Sequence, residues 1–292
     1  MPDPAKPKLL DHLSTNLLRV LPQHLLAAGM YRIARSTRPW LKNLLITRIS
    51  RHYGVNMAEA EQPDLAAYPS FNDFFTRALK QDARPLAEGM VVSPADGRIS
   101  QIENIRGEAL VQAKGHDFEL LALLAGDKQK TAQFRDGLFT TIYLSPKDYH
   151  RVHMPFSGTL QSMVFVPGDL YSVSEATTQL VPGLFARNER VICHFDTAVG
   201  PMAVILVGAI FVGSMDTVWH GEVRGERGQP TKWVYQGDER RQFQAGDEIG
   251  RFNMGSTVIL LLPHGAADWS PDLGPGDPVT LGQAIGRPRG GH

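Results

Sequence analysis

The chain has 292 residues with 30 Lys and Arg against 30 Asp and Glu, which suits one large domain or two and excludes a generally basic nucleic-acid binder. At 42% hydrophobic and 21% charged residues, it is neither a disordered chain nor a fibrous repeat. The single cysteine, Cys193, cannot form an internal disulfide, so a reducing cytosol is the expected compartment.

The charge is unevenly placed. Residues 1–54 hold nine Lys and Arg (Lys6, Lys8, Arg19, Arg32, Arg35, Arg38, Lys42, Arg48, Arg51) against Asp3 and Asp11, a local charge of +7 that leaves −7 for the rest. Apolar residues recur there at helical spacing: Leu10, Leu13, Leu17, Leu18 and Leu21, then Leu25, Leu26, Met30 and Ile33, then Trp40, Leu41, Leu44, Leu45, Ile46 and Ile49. Pro22 and Pro39 separate the runs, so three short amphipathic helices are predicted. No run reaches the roughly 18 apolar residues of a spanning helix, and no secretory cleavage pattern follows a short apolar core. Basic amphipathic helices of this kind suit the headgroup layer of an anionic membrane, and they equally suit packing against the protein's own body.

A polar connection, 56–70, leads to a helical pattern over 71–80, with Arg84-Pro85 behind it. From Val91 the texture becomes β-rich, with predicted strands at 109–112, 139–144, 159–166, 191–195, 202–212, 232–235 and 257–262, and a helical piece at 120–125. The fold class predicted is α+β: N-terminal amphipathic helices over 1–55, then a β-rich, barrel-like catalytic domain over 56–292. There is no fixed-period repeat, GxGxxG fingerprint or P-loop.

Three clusters carry potential chemistry: Ser93-Pro-Ala-Asp-Gly97, Asp148-Tyr-His-Arg-Val-His-Met-Pro155 and Phe252-Asn-Met-Gly-Ser-Thr257. Each alone reads as structure. Asp96-Gly97 has the form of a turn with Gly97 at positive φ, and Gly255-Ser256 the form of an entry into a strand. His150 and His153 have zinc-ligand spacing for a helix, but Met154-Pro155 and the preceding β run argue against a helix there. Together the clusters supply an acid, an imidazole and a hydroxyl, the parts that activate a serine. The Gly-x-Ser-x-Gly elbow of many hydrolases is absent. A serine directly after glycine has a second target, the unshielded Gly255 carbonyl. Attack there gives an ester, and elimination across Cα–Cβ of Ser256 followed by hydrolysis leaves a pyruvoyl group, an electron sink for a bound amine.

The clusters sit among further blocks: Phe74-Phe75-x-Arg77, Lys114-Gly115-His116, Tyr143-Leu-Ser-Pro146, Val166-Pro-Gly-Asp-Leu170, Leu184-Phe-Ala-Arg-Asn-Glu-Arg-Val191, Val207-Gly-Ala209 with Ser214, and Thr217-Val-Trp219. In this order they closely resemble the phosphatidylserine decarboxylases, in particular the bacterial membrane-associated type that processes itself to a pyruvoyl enzyme. Met254 stands where that family commonly has leucine before Gly-Ser-Thr, a volume-conserving swap. The resemblance implies that Asp96, His153 and Ser256 form a self-cleavage triad and that Gly255–Ser256 is the bond cut, giving chains 1–255 and 256–292 that stay associated. It implies that His150 serves decarboxylation, with His150 or His153 delivering a proton to the former α-carbon from a pKa near neutrality. The implied substrate is phosphatidylserine and the products phosphatidylethanolamine and CO2, with a covalent pyruvoyl cofactor from Ser256 and no metal. It further implies a peripheral enzyme on the cytoplasmic side of the cell membrane, held to an anionic membrane surface, and a homodimer. The rival readings are a serine hydrolase using Asp96, His153 and Ser256 on a lipid, a metal site of Asp96, Asp148, His150 and His153, and a non-catalytic lipid-binding protein.

Overall fold

The computed structural model describes residues 12, 22–113, 116–210, 214–226, 228–254 and 256–290. The first amphipathic run (Leu10, Leu13, Leu17, Leu18, Leu21), Lys114-Gly115 and Gly255 of the expected cleavage pair lie outside them.

The other two predicted N-terminal helices form as Gln23–Ala34 and Pro39–Tyr53. Pro39 occupies the first turn, where its missing N–H would have no helical partner anyway, and Gly54 ends the second helix at φ 67. Ala34 and Ile46 turn inward to join Tyr68, Phe71, Phe74 and Phe75 in a small apolar core. The opposite faces leave Leu25, Trp40 and Leu44 at 72%, 66% and 56% exposure.

Phe71–Phe75 is one helical turn capped by Ser70, whose hydroxyl accepts from the Asp73 N–H at 3.2 Å. It stops short of the predicted 71–80 because the following backbone is taken up elsewhere. Glu61 N bonds Ala78 O at 3.0 Å and Lys80 N bonds Glu59 O at 2.9 Å, which draws 78–80 into a short extended pairing.

The β-rich body is built on an antiparallel nine-stranded sheet. Its order is Thr231–Val234, Gly158–Val166, Arg190–Thr197, Gly200–Val207, Ser256–Leu262, Leu138–Leu144, Gly97–Asn104 and Pro278–Val279, with Gln242–Phe243 also on Gly158–Val166. The α+β reading holds, but among the described residues the end strands do not pair, so the sheet is open and not a closed barrel. Its ends explain this. Thr231–Val234 alternates half-buried and exposed side chains, and Pro278–Val279 is two residues long and begins with a residue lacking an N–H.

Ser256–Leu262 sits near the middle, bonded to Gly200–Val207 on one side and Leu138–Leu144 on the other, with all seven side chains buried. Its unbroken apolar run is what a strand covered on both faces requires. A four-stranded sheet, Gly221–Val223, Met215–Thr217, Glu248–Phe252 and Arg151–His153, carries the second histidine.

Candidate active site

Asp96 lies at the bend that leads into Gly97–Asn104. The turn reading of Asp96-Gly97 is corrected. Gly97 opens the strand without a positive φ, and glycine is needed because a Cβ there would collide with the Tyr143 carbonyl oxygen. The Asp96 carboxylate does not bond its own backbone. Oδ1 accepts from Leu281 N at 2.8 Å and Arg84 Nε at 2.9 Å, and Oδ2 accepts from Arg84 Nη2 at 2.5 Å. Arg84 reaches Glu59 as well, at 2.7 Å.

His153 is docked beside this bend by its backbone, its N–H donating to Pro94 O at 2.8 Å. The ring Nδ1 lies 2.8 Å from Gly246 O. A carbonyl can only accept, so Nδ1 carries the proton and Nε2 presents its lone pair. The Tyr149 hydroxyl, 3.1 Å away, donates to Nε2, and burial pushes that phenol up to about 12, so it keeps its proton. Burial pulls the His153 imidazole down, while the Gly246 bond and the charges of Glu248 and Asp96 push it partly back. Asp96 and His153 therefore interact through space. No hydrogen bond joins their side chains, because Arg84 holds the carboxylate.

His150 has a different wall. Its Nδ1 donates to Asp148 O at 2.8 Å, its ring packs on Phe75 with centroids 4.0 Å apart, and its buried Nε2 has no partner. Burial takes this imidazole down to about 3, so it is neutral across the physiological range. An imidazole poised near neutrality, the expectation for this residue, is not what the fold provides. His150 comes just before the strand Arg151–His153, and the two rings are held by different carbonyls, Asp148 O and Gly246 O. The Asp148 carboxylate is occupied by Ser145, at 2.7 Å from both its N–H and its hydroxyl.

Ser256 is the first residue of its strand, paired with Leu144 and 0% exposed, and its hydroxyl has no hydrogen-bond partner. It is not bonded to either imidazole. It is linked to His150 through the apolar wall: Met254 packs on the Phe71, Phe74 and Phe75 cluster, and Phe252 N donates to His150 O at 3.0 Å. Sequence reasoning missed Tyr149, Phe75, the Arg84 clamp and the Gly246 carbonyl. Only the first three had a signal, their positions inside or beside the quoted blocks; a backbone acceptor has none.

The family model described as phosphatidylserine decarboxylase matches residues 71–287. The chain belongs to the phosphatidylserine decarboxylase family. A second family model, described as PSD, matches residues 13–54. Among its relatives, the phosphatidylserine decarboxylase proenzyme of Marinobacter nauticus is 51% identical, covering 96% of this chain and 99% of the relative. Those of Acidovorax ebreus and Methylococcus capsulatus are each 52% identical, covering 91% and 94% of this chain and 94% and 96% of theirs. This phosphatidylserine decarboxylase family member therefore aligns with proenzymes along almost its whole length, helices included.

Proposed function

We propose that the chain is a proenzyme that cleaves itself between Gly255 and Ser256 and then converts phosphatidylserine to phosphatidylethanolamine and CO2. The observation that carries this reading is the Ser256 hydroxyl, fully buried and unpartnered at the head of a core strand. A hydroxyl left so costs about 1–3 kcal/mol, a penalty that alanine would avoid.

In the cleavage, Ser256 Oγ bonds to the Gly255 carbonyl carbon while its proton passes to a base, and the base returns that proton to the Ser256 nitrogen as the Gly–Ser C–N bond breaks, leaving an ester and a free amine. Loss of the Ser256 Cα proton then expels the Gly255 carboxylate, and water replaces the nitrogen, which leaves as ammonia. His153 suits the base role because Gly246 fixes the proton on Nδ1 and leaves the lone pair on Nε2, which takes up the serine proton once the Tyr149 hydroxyl, now donating to it, turns away. Asp96 raises the basicity of that ring through its field.

The position of Ser256 fits a pyruvoyl group: its side chain is fully buried in the core strand, and no hydrogen bond holds its hydroxyl. Such a group supplies an electron sink for loss of an α-carboxylate from a bound amine. His150, kept neutral by Phe75 and burial, accepts a proton at Nε2 before it can give one, so it works first as a base and only then as an acid. The wall of Phe71, Phe74, Phe75 and Met254 excludes water that would compete for that proton.

The test is the denatured mass of the purified protein. Two chains of 255 and 37 residues are expected, the smaller without a free amino terminus and labelled by a hydrazine. A single chain of 32.2 kDa labelled by a fluorophosphonate would replace the proposal with the serine hydrolase.

The N-terminal helices support peripheral attachment to an anionic membrane. Arg32, Arg48 and Arg51 are exposed on the same two helices as Leu25, Trp40 and Leu44, with exposed Arg38 at the N-cap of the second, and no helix among the described residues is long and apolar enough to cross a bilayer. Trp40→Ala with Leu44→Ala is expected to weaken binding to phosphatidylglycerol-containing vesicles by about 10-fold or more, given about 1.5–3 kcal/mol per large apolar side chain buried. Vesicle cosedimentation reads this, and unchanged binding would return the stripe to an ordinary surface role.

A further inference from the structure

A cleft of about 520 Å³ opens beside the candidate active site. Its inner wall includes Tyr68, Arg77, Arg151 and Arg251, and Glu61 and Asp73 stand at its exposed lip. Arg151 and Arg251 share a single acid, Glu248, at 2.8 and 2.9 Å. Arg77 has none.

Arg77 is 4% exposed, and the cleavage chemistry does not use it. Its Nη2 donates to the carbonyls of Lys147 at 2.9 Å and Asp148 at 3.3 Å, while Nε and Nη1 are buried without partners. Among the described residues no carboxylate forms an ion pair with it. A buried guanidinium with two idle donors and no carboxylate in contact, only the more distant charges of Asp96 and Asp148, is unfavourable until an anion arrives, and a planar fork suits the oxygens of a phosphate. The lip carboxylates face solvent and are screened; the inner arginines are screened far less.

The position is informative. The Asp148 carbonyl accepts both from Arg77 Nη2 and from His150 Nδ1, so guanidinium and imidazole are anchored to one atom. Resting on the decarboxylation proposed above, we infer that Arg77, backed by Arg151 and Arg251, is the receptor for the phosphodiester of the phospholipid headgroup. The substrate's carboxylate is the poorer occupant. Its charge leaves in the reaction, and an ion pair to it would stabilise the ground state more than the transition state. The phosphodiester keeps its charge throughout, so Arg77 binds and orients without changing the barrier from the bound state.

The experiment uses the purified full chain, first checked for cleavage and for CO2 release. For Arg77→Gln, KM for phosphatidylserine in detergent micelles is expected to rise about 10–100-fold, the factor that losing a charge-assisted pair produces, with kcat within a few-fold. KM for O-palmitoylserine, which keeps the amine and carboxylate but lacks phosphate, is expected not to change. Equal losses on both substrates would overturn the assignment.

Should that variant fail to fold, the wild-type enzyme decides by competition. Glycerophosphoglycerol, a phosphodiester without amine or carboxylate, is expected to compete with phosphatidylserine. No competition, or competition by inorganic phosphate alone, would overturn the proposal, the latter marking a free-phosphate site. A wild-type chain that neither cleaves nor releases CO2 would sink the decarboxylase reading instead. Broadening of the glycerophosphoglycerol ³¹P line by that uncleaved chain would then still report the anion site, and its absence would overturn the Arg77 inference separately.

Discussion

The His153→Ala chain is expected to remain whole at 32.2 kDa, whereas the His150→Ala chain is expected to cleave and then release CO2 about 10²–10⁴-fold more slowly, the usual yield of a positioned acid or base. The division follows from the two walls. His153 has Nδ1 tied to Gly246 and Nε2 beside Tyr149, while His150 has a bare Nε2 in an apolar wall. Mass spectrometry over a time course checks the first half and trapped CO2 the second; cleavage of the His153 variant at the wild-type rate would remove it as the base. The pH dependence has a definite sign. Burial lowers both imidazoles, so each stays a neutral base to more acidic pH than an ordinary histidine, and His150 contributes no limb near neutral pH. Unfolding restores its ordinary affinity for a proton, so the fold loses stability as pH falls from 6.5 toward about 3.

Arg84→Met is expected to destabilise the fold by about 3–5 kcal/mol, because it strands the buried Asp96 carboxylate without its cation. The two side chains are 15% and 9% exposed, and the guanidinium meets both carboxylate oxygens. The pairing with Glu59, 38% exposed, adds little. Pairing Arg84→Met with Asp96→Asn removes the stranded charge and is expected to restore much of the lost stability without restoring cleavage. Urea midpoints measure the first effect and intact mass the second. A stable Arg84→Met chain would show that Asp96 is held chiefly by Leu281 N.

The parts of the fold that were legible are those where burial leaves a pattern. The run from Val258 to Leu262 is apolar without interruption and forms a core strand, and Pro39 marks a helix start. Gly97–Asn104 was hidden because Ile99 is its only buried side chain, so eight residues of sheet carry no strand pattern in the sequence. Arg151–His153 and Glu248–Phe252 were missed for a related reason: both are short, and their polar side chains pair with one another through Arg151 and Glu248. At the site, the residue types were readable and their couplings were not. Nothing in the sequence distinguishes an aspartate gripped by arginine from one bonded to histidine, and only the fold assigns Asp96 to Arg84.

Because Ser256 heads a strand near the centre of the sheet, a cut before it severs the chain where the two pieces are most deeply interleaved. The 37-residue piece would hold the strand Ser256–Leu262 between two strands of the larger chain, and its last strand would pair with Val91–Val92. Such a product has been folded once, as a single chain. If it opens, recovery needs two separate molecules to meet and a buried strand to be threaded back, so its persistence is set by how slowly it unfolds and not by an equilibrium. Heat inactivation of the cut enzyme should then be irreversible under conditions where the uncut Ser256→Ala chain refolds.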